Sequence, residues 1–216
     1  TKEHGIIGLY LKGANNYKSS SFASSQPLSH ALFNINYRQN GLSTCYKAEV
    51  IEAFNTLKID FDKNIYVYHL FELIFKSIEG HTPVIDLYTL LLAIMYKMND
   101  INDLNSINIY TLFFELRLLE IIGVAPMLSN CVECGSTEHI ANFDIRRGGF
   151  VCEKCLDRKM EHYDINTLKA LYQLYHSDLG DLDKLRIENI KELRKLIANF
   201  YLYHLGIRTN SEKFFK

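Results

Sequence analysis

The chain has 216 residues, of which 48 % are hydrophobic and 12 % aromatic, and its formal net charge is −1. This composition is typical of a globular protein of one or two domains, and it excludes a chain that is disordered over most of its length. No apolar run approaches the roughly 18 residues of a membrane span, and no secretory signal opens the chain. We therefore expect a cytoplasmic protein with reduced thiols.

The charge is distributed unevenly along the chain. Residues 1–50 carry five Lys or Arg against two Glu, whereas residues 51–128 carry five basic against ten acidic residues. A basic front end beside an acidic middle indicates an anionic partner near the N-terminus. A surplus of three positive charges is also common on an ordinary solvated surface, so this signal is weak by itself.

The first fifty residues predict β structure. Residues 6–11 are a compact apolar run, and residues 28–37 and 42–50 are two further strand candidates, joined by a strong Asn-Gly hairpin signal. The serine-rich residues 18–26 predict a mobile loop or a short turn. We expect a small antiparallel sheet. Because the chain enters strand-like sequence almost at once and three strands leave an open edge, we expect earlier strands to complete the domain.

From residue 59 onward the apolar residues recur at helical spacing. Asn64 is the predicted N-cap of a first helix and Gly80 its predicted end, while Pro83 is placed to open a second helix. Residues 166–175 and 187–205 predict two later helices. The pattern indicates a β domain over residues 1–58 and a helical domain over residues 59–216.

Residues 107–122 predict the most apolar helix of the chain. A helix that is apolar nearly all round must be central, because each of its faces has to be buried. Its charged residues include Arg117 and Glu120, three positions apart, which predict an ion pair within the helix rather than a catalytic acid and base. Glu115 belongs to the same helix and is given no catalytic role.

Four cysteines form two pairs, Cys131 with Cys134 and Cys152 with Cys155, separated by seventeen residues. This spacing is typical of a tetrahedral zinc site, which we place in residues 131–155. Four thiolates leave zinc no open position, so one structural Zn²⁺ is expected; a zinc enzyme would need three protein ligands and a water. Two disulfides, or four unrelated core thiols, are the alternatives. Cys45 is interpreted as a buried small hydrophobe.

Seven short motifs follow one another along the chain: Thr1-Lys2-Glu3-His4-Gly5, Lys12-Gly13-Ala14, Phe113-Phe114-Glu115-Leu116-Arg117-Leu118-Leu119, Gly123-Val124-Ala125-Pro126, Cys131 through Gly135, Gly148 through Cys155, and Tyr203-His204-Leu205-Gly206. None is diagnostic alone. Their order and spacing resemble the zinc-bearing branch of the bacterial RecO family of recombination mediators, and the resemblance covers essentially the whole chain.

The resemblance implies an α+β multidomain protein, with an N-terminal OB-fold β-barrel followed by an all-helical domain that holds one zinc knob. It implies binding of single- and double-stranded DNA, annealing of complementary strands, and loading of RecA together with RecR and the single-stranded DNA-binding protein. The family is not known for nucleotide hydrolysis, and no Gly-rich phosphate loop with a lysine is found here. Asn15 and Asn16 depart from the basic pair that the family often has there.

An OB-fold binds a single strand through cations that follow the phosphates and aromatic rings that stack on bases. The candidate phosphate contacts are all basic residues of the first fifty positions: Lys2, Lys12, Lys18, Arg38 and Lys47. Tyr10, Tyr17 and Tyr37 are candidate stacking residues, although a place in the barrel core is the preferred interpretation. A solvated surface charge is the alternative for each cation.

A second basic cluster lies on or near the cysteine segment and is interpreted as a solvated face, because five acidic residues are interleaved with it. Its members are Arg146, Arg147, Lys154, Arg158 and Lys159. His204 is interpreted as a packed core histidine, since the four cysteines already complete the zinc site. A protein-interaction adaptor without direct DNA binding is the alternative function, and it would fit the near-neutral total charge.

Overall fold

The computed structural model describes residues 1–157 and 159–215, and it confirms an α+β protein. A three-stranded sheet comes first, helices follow, and a two-stranded hairpin lies between the fifth and sixth helices. The strands are β1 Leu9–Leu11, β2 His30–Asn36, β3 Ser43–Glu52, β4 Ile140–Asp144 and β5 Gly149–Cys152. The helices are α1 Phe22–Ser25, α2 Asn55–Ile59, α3 Phe61–Ser77, α4 Ile85–Asp100, α5 Leu104–Ile121, α6 Ile165–His176 and α7 Ile190–Leu205.

The N-terminal sheet has the strand order β1-β3-β2. The hairpin of β2 and β3 is antiparallel as predicted, and Gly41 in its connection adopts a φ of +94°. β1 pairs in parallel with β3, from Leu9 opposite Ser43 to Leu11 opposite Cys45, so the antiparallel prediction is wrong for β1. Parallel pairing is possible because the chain between β1 and β3 is long enough to return to the starting end of the sheet.

The predicted β-barrel is not closed in residues 1–157 and 159–215, where the N-terminal strands form an open three-stranded sheet with β2 at one edge. The serine-rich stretch before β2 is ordered as a turn that contains α1. Its Ser24 is buried, and Ser25 Oγ donates to the Ala14 carbonyl over 2.8 Å. Cys45 is buried in β3, as its interpretation as a small hydrophobe requires.

Aspartates begin α3 and α5. Asp60 caps α3 by accepting from the Lys63 amide over 3.1 Å, so the prediction of Asn64 as N-cap is wrong. Asn64 lies inside α3 and donates to the Leu57 carbonyl. Asp103 caps α5 in the same way, which starts that helix three residues earlier than residue 107. A short carboxylate satisfies an amide that the first turn leaves unpaired.

Helix α5 is central, as its sequence predicts. Twelve of its 18 residues are buried, and it packs against α3, α4, α6 and α7. Arg117 and Glu120 form the predicted ion pair at 2.6 Å, near the end of the helix. Arg117 also donates to the carbonyls of Tyr175 and Ser177, so this pair connects α5 to the end of α6.

A buried polar network lies where α3, α5 and α7 meet. His69 Nε2 lies 3.0 Å from Glu115 Oε1, and Arg194 Nη1 donates to the same oxygen over 3.4 Å. The segment after α7 covers this network: Ser211 Oγ lies 3.0 Å from His69 Nδ1, and the Phe215 ring lies 4.2 Å from the Arg194 guanidinium. The chain thus buries several charged groups in its helical region and pairs them there.

Candidate metal centre and nucleic-acid surface

The four paired cysteines converge around one point. Cys131 and Cys134 lie in the turn before β4, Cys152 ends β5, and Cys155 ends a short 3₁₀ turn. Their four sulfur atoms all lie within 4.8 Å of one another, and the sulfurs of Cys134 and Cys152 are 3.6 Å apart. Gly135 adopts a φ of +75° and donates its amide to the Cys131 carbonyl, which closes the first turn.

The donor set and its dimensions fit a metal ion. A tetrahedral zinc with Zn–S bonds of about 2.3 Å places its sulfurs about 3.8 Å apart, close to the spacing found. Soft thiolate ligands favour zinc among common divalent ions. Four cysteines complete such a site, which leaves no position for a reacting water and argues against a zinc enzyme. None of the five cysteines forms a disulfide, so the disulfide alternative is wrong.

The electrostatics of the cysteine cluster favour a cation. Burial raises the pKa of Cys131, but the amide groups of Cys134, Cys152 and Glu133 lower it to about 6. Hydrogen bonds with Cys134, followed by burial, raise the pKa of Cys155 to about 12. The thiolate of Cys131 is thus stabilised by backbone amides, while Cys155 keeps its proton because its thiol is hydrogen-bonded to the neighbouring sulfurs. A divalent cation reverses this and allows all four thiols to ionise.

The hairpin of β4 and β5 connects the cysteines to the helical core. Phe143 and Phe150 on its strands are buried, and the Phe143 ring packs 6.1 Å from the ring of Phe200 on α7. His204 Nε2 lies 2.7 Å from the Ile145 carbonyl, and the His204 ring packs on Phe200. His204 therefore has the structural role expected of it, although it is half-buried rather than enclosed in the core.

The second basic cluster divides into two kinds of residue. Arg146, Lys154 and Lys159 are exposed, as a solvated face requires. Arg147 is exposed as well, but unlike these three its guanidinium forms ion pairs with Glu133 and Asp144. Arg158 lies outside the residues that the structure describes.

The five candidate phosphate contacts are exposed, but they come from separate parts of the N-terminal region. Lys2 precedes the sheet, Lys12 and Lys18 follow β1, Arg38 lies in the β2–β3 connection, and Lys47 lies on β3. Lys47 is 4.0 Å from Glu49. Lys18 lies 5.6 Å above the ring of Tyr17, which places one cation beside one candidate stacking ring. Whether these residues bind DNA stays a prediction.

The candidate stacking tyrosines differ in their exposure. Tyr10 is 56 % and Tyr17 75 % exposed, so the preferred interpretation of a core position is wrong for both. Tyr37 is half-buried: its ring stacks on His4 at 3.9 Å, and its hydroxyl lies 3.1 Å from His81 Nδ1. Tyr37 therefore joins the N-terminal segment to the loop before α4 and is not free to stack on a base.

Sequence reasoning missed Tyr46, which is 73 % exposed on β3. Tyr46 and Lys47 together lie opposite Asn34, where the register between β2 and β3 shifts. Such a bulge puts two consecutive side chains on one face, the face that Tyr10 shares through its pairing with Thr44. The sequence signal for this bulge was the pair of consecutive residues Tyr46 and Lys47, which interrupts the alternation of apolar and polar residues in the strand.

A cleft of about 960 Å³ lies between the N-terminal sheet and the helices. Phe33 and Ile35 of β2 line one side, and Leu91 and Met95 of α4 line the other, with Lys2 at the border. The cleft is mostly apolar and lies along the free edge of β2. Within the described ranges, none of the helices combines the length and apolar character needed to cross a membrane.

Comparisons with known proteins agree over the whole chain. The sequence matches the family profile "Recombination protein O N terminal" over residues 1–54 and "Recombination protein O C terminal" over residues 59–213. A "DNA repair protein RecO" of Bacillus pumilus is 31 % identical over 219 residues, covering 99 % of this chain and 84 % of that protein. One of Listeria innocua is 31 % identical over 221 residues, covering 100 % of this chain and 85 % of that protein.

Proposed function

Since the chain belongs to the RecO family of DNA repair proteins, we propose that it is a recombination mediator and not an enzyme. It binds single- and double-stranded DNA and anneals complementary strands. Together with RecR it helps to load RecA on DNA coated by the single-stranded DNA-binding protein. The family match over both terminal regions is the observation that carries this proposal. Its place of action is the bacterial cytoplasm, on the nucleoid during repair.

The DNA surface in this proposal is the N-terminal region. Lys2, Lys12, Lys18, Arg38 and Lys47 contact phosphates, and Tyr10 and Tyr17 stack on bases. The exposure of all seven side chains supports the assignment, because a group that binds a polyanion must reach solvent. Contacts to phosphates and ring faces carry little sequence information, which suits a mediator that acts on any gap.

In the same proposal, residues 1–58 form an incomplete OB-fold, and the sheet is part of its barrel. Its free β2 edge and the apolar cleft beside it support this interpretation, since a thin sheet with an open edge and an uncovered apolar face is incomplete by itself. Further strands placed against β2 would cover Phe33 and Ile35. The helical domain, residues 59–216, then carries the partner surfaces.

One structural Zn²⁺ held by Cys131, Cys134, Cys152 and Cys155 completes the proposal. When bound, the ion supplies crosslinks between the two cysteine pairs and has no catalytic part. The convergence of the four sulfurs and the burial of the hairpin beside them support this role. Closing such a site contributes directly to folding, because the ligands are not preformed in the unfolded chain.

A strand-annealing assay with a salt series tests the function. Annealing brings two polyanions together, so single-strand affinity should fall steeply with salt and show little sequence preference. The double variant Lys12→Gln with Lys18→Gln should weaken DNA binding and lower its salt dependence. The matched control is the double variant Lys169→Gln with Lys191→Gln, which removes two exposed lysines of the helical region. Binding that salt does not change, or no binding by the full-length protein, would contradict the proposal.

A protein-interaction adaptor without DNA binding is the second candidate function. The net charge of −1 and the pairing of Lys47 with Glu49 favour it, because both reduce attraction to a polyanion. Mixing experiments separate the two functions. An adaptor forms complexes with RecR or the single-stranded DNA-binding protein but does not bind DNA alone. A mediator binds single- and double-stranded DNA without a partner, and so slows the migration of both in a gel.

A further inference from the structure

Arg147 lies in the turn between β4 and β5 and contacts three separate parts of the cysteine segment. Its Nε lies 3.4 Å from Glu133 Oε2 and 3.4 Å from Asp144 Oδ2. Its Nη1 donates to the Cys155 carbonyl over 3.3 Å. Glu133 stands between the first two cysteines, and Asp144 ends β4. One guanidinium therefore joins both cysteine pairs to the hairpin between them.

Asp144 makes the position of Arg147 more than a surface ion pair. The Asp144 side chain is only 4 % exposed, and its Oδ1 accepts from the amides of Arg146 and Arg147. Its Oδ2 is buried and accepts no hydrogen bond from the described residues, so the guanidinium of Arg147 is the charge that compensates it. A buried carboxylate oxygen without such a cation is costly, which ties Arg147 to this place.

The contacts of Arg147 act on the two turns that carry the sulfurs. Glu133 belongs to the first turn, and the Cys155 carbonyl belongs to the second, which is otherwise joined to the first through β4 and β5. Four thiolates around a divalent cation carry a net charge of −2, so a nearby cation also offsets that charge. A guanidinium suits this task because its planar fork reaches several acceptors at once.

We propose that Arg147 is a positioning residue of the metal site, which holds the two cysteine pairs at the spacing that the ion requires without being a ligand. This inference rests on the proposed zinc site. Partners that orient ligands from outside the coordination sphere commonly change metal affinity by about 10- to 100-fold. Arg147 meets that description, since it contacts both turns.

Zinc transfer to the chelator 4-(2-pyridylazo)resorcinol from the full chain tests the inference. Arg147→Met should release zinc about tenfold faster than the wild type. Arg147→Lys should release it at an intermediate rate, because an ammonium keeps the charge but cannot make all three contacts. Arg146→Met is the matched control. Arg146 is the neighbouring exposed arginine, and among the described residues its side chain forms no hydrogen bond or ion pair, so the release rate of this variant should equal that of the wild type.

Cobalt substitution separates this inference from its premise. Wild-type protein should bind one Co²⁺ with the absorption of a tetrahedral thiolate site, and a wild type that binds none overturns the metal site and this proposal together. If the wild type binds Co²⁺ but Arg147→Met releases zinc at the wild-type rate, the metal site stands and only the positioning role of Arg147 is overturned. If Arg147→Met does not fold, Arg147→Lys and Glu133→Gln decide: wild-type release rates in both would contradict the role proposed.

Discussion

The tyrosines around the N-terminal sheet and those at the centre of the helical region have opposite surroundings. Tyr10, Tyr17 and Tyr46 around the sheet are 56 %, 75 % and 73 % exposed, whereas Tyr66 and Tyr110 in the helical region are 1 % and 0 % exposed. A buried ring contributes packing, and an exposed ring stays available for a ligand. In the proposed function the cysteines therefore stabilise the helical region, and the exposed rings of the sheet are the ones offered to DNA.

The two regions differ equally in their charged groups. Lys47 and Glu49 on the sheet form a solvated pair at 4.0 Å. In the helical region, His69, Glu115 and Arg194 are linked below the surface. Solvated pairs contribute little to the free energy of unfolding, while breaking a buried pair by removing one partner is costly. Substitutions in the helical region should therefore change stability, and those on the sheet should change binding.

The largest effect is expected from the cysteine pairs. Cys131→Ser with Cys134→Ser removes two of the four ligands, so bound zinc should fall from about one ion per chain to none. The free energy of unfolding should drop by about 4 kcal/mol or more, since loss of a metal site is among the few changes of that size. Metal analysis and urea unfolding measure both quantities.

Cys45→Ala is the control for this pair, because it removes a buried thiol from the sheet and leaves the metal ligands intact. It should keep the zinc content and reduce stability by about 1 kcal/mol. Full thermal stability in the double serine variant would contradict a structural role for the ion. Equal losses of unfolding free energy in Cys45→Ala and in the double serine variant would show that the two regions do not differ in their contribution to stability.

The next effect concerns the buried network. Glu115→Gln leaves His69 and Arg194 without their carboxylate, and we expect the free energy of unfolding to fall by about 3 kcal/mol. Glu120→Gln on the same helix is the matched control, because that carboxylate is 41 % exposed in its pair with Arg117. It should cost less than about 1 kcal/mol. If chemical denaturation gave similar losses of unfolding free energy for Glu115→Gln and Glu120→Gln, burial would not explain the contribution of Glu115.

Acid should act on the same region through Glu72. Although burial raises the pKa of its carboxyl, hydrogen bonds from Asn210, Lys76 and Ser211 lower it from 4.5 to about 2. Because the folded pKa is the lower one, this stabilisation is present above pH 4.5 and is lost as pH falls toward 2. We expect about 2 kcal/mol to disappear in that window, which is less than the full shift would give because the Glu72 carboxylate is partly solvated.

Glu72→Gln provides the check, because an amide does not titrate and should flatten this part of the stability profile. Hydrogen exchange locates the effect: the Asn210 and Ser211 amides, which donate to Glu72, should lose protection first as the solution is acidified. Retention of the full acid dependence in Glu72→Gln would assign it to other carboxyls.

The sequence predicted the elements that local chemistry determines and missed those that depend on distant partners. The spacing of the two cysteine pairs is enough to predict a metal site. The apolar residues of α5 are enough to predict that this helix is central. The parallel pairing of β1 could not be predicted, since it depends on the path of the chain between two strands. The ion pairs of Arg147 could not be predicted either, because Glu133 and Asp144 approach it only when the cysteine segment has folded.

The smallest effect is expected on the sheet, and it should be on affinity rather than stability. Tyr10→Ala and Tyr46→Ala each remove an exposed ring, and base stacking contributes about 1–3 kcal/mol per ring, so single-strand affinity should fall about fivefold or more for each. The unfolding free energy should change by less than about 0.5 kcal/mol. Fluorescence anisotropy with labelled oligonucleotides measures the affinity.

Salt distinguishes lost stacking from lost charge in these variants. Neither substitution alters the net charge, so the slope of log affinity against log salt should equal that of the wild type, whereas removal of Lys12 and Lys18 should reduce it. Tyr68→Ala on α3 is the matched control, since it removes a 43 % exposed ring from the helical region and should leave affinity unchanged. Equal losses from Tyr68 and Tyr46 would mean that exposure alone, and not the sheet, determines where DNA binds.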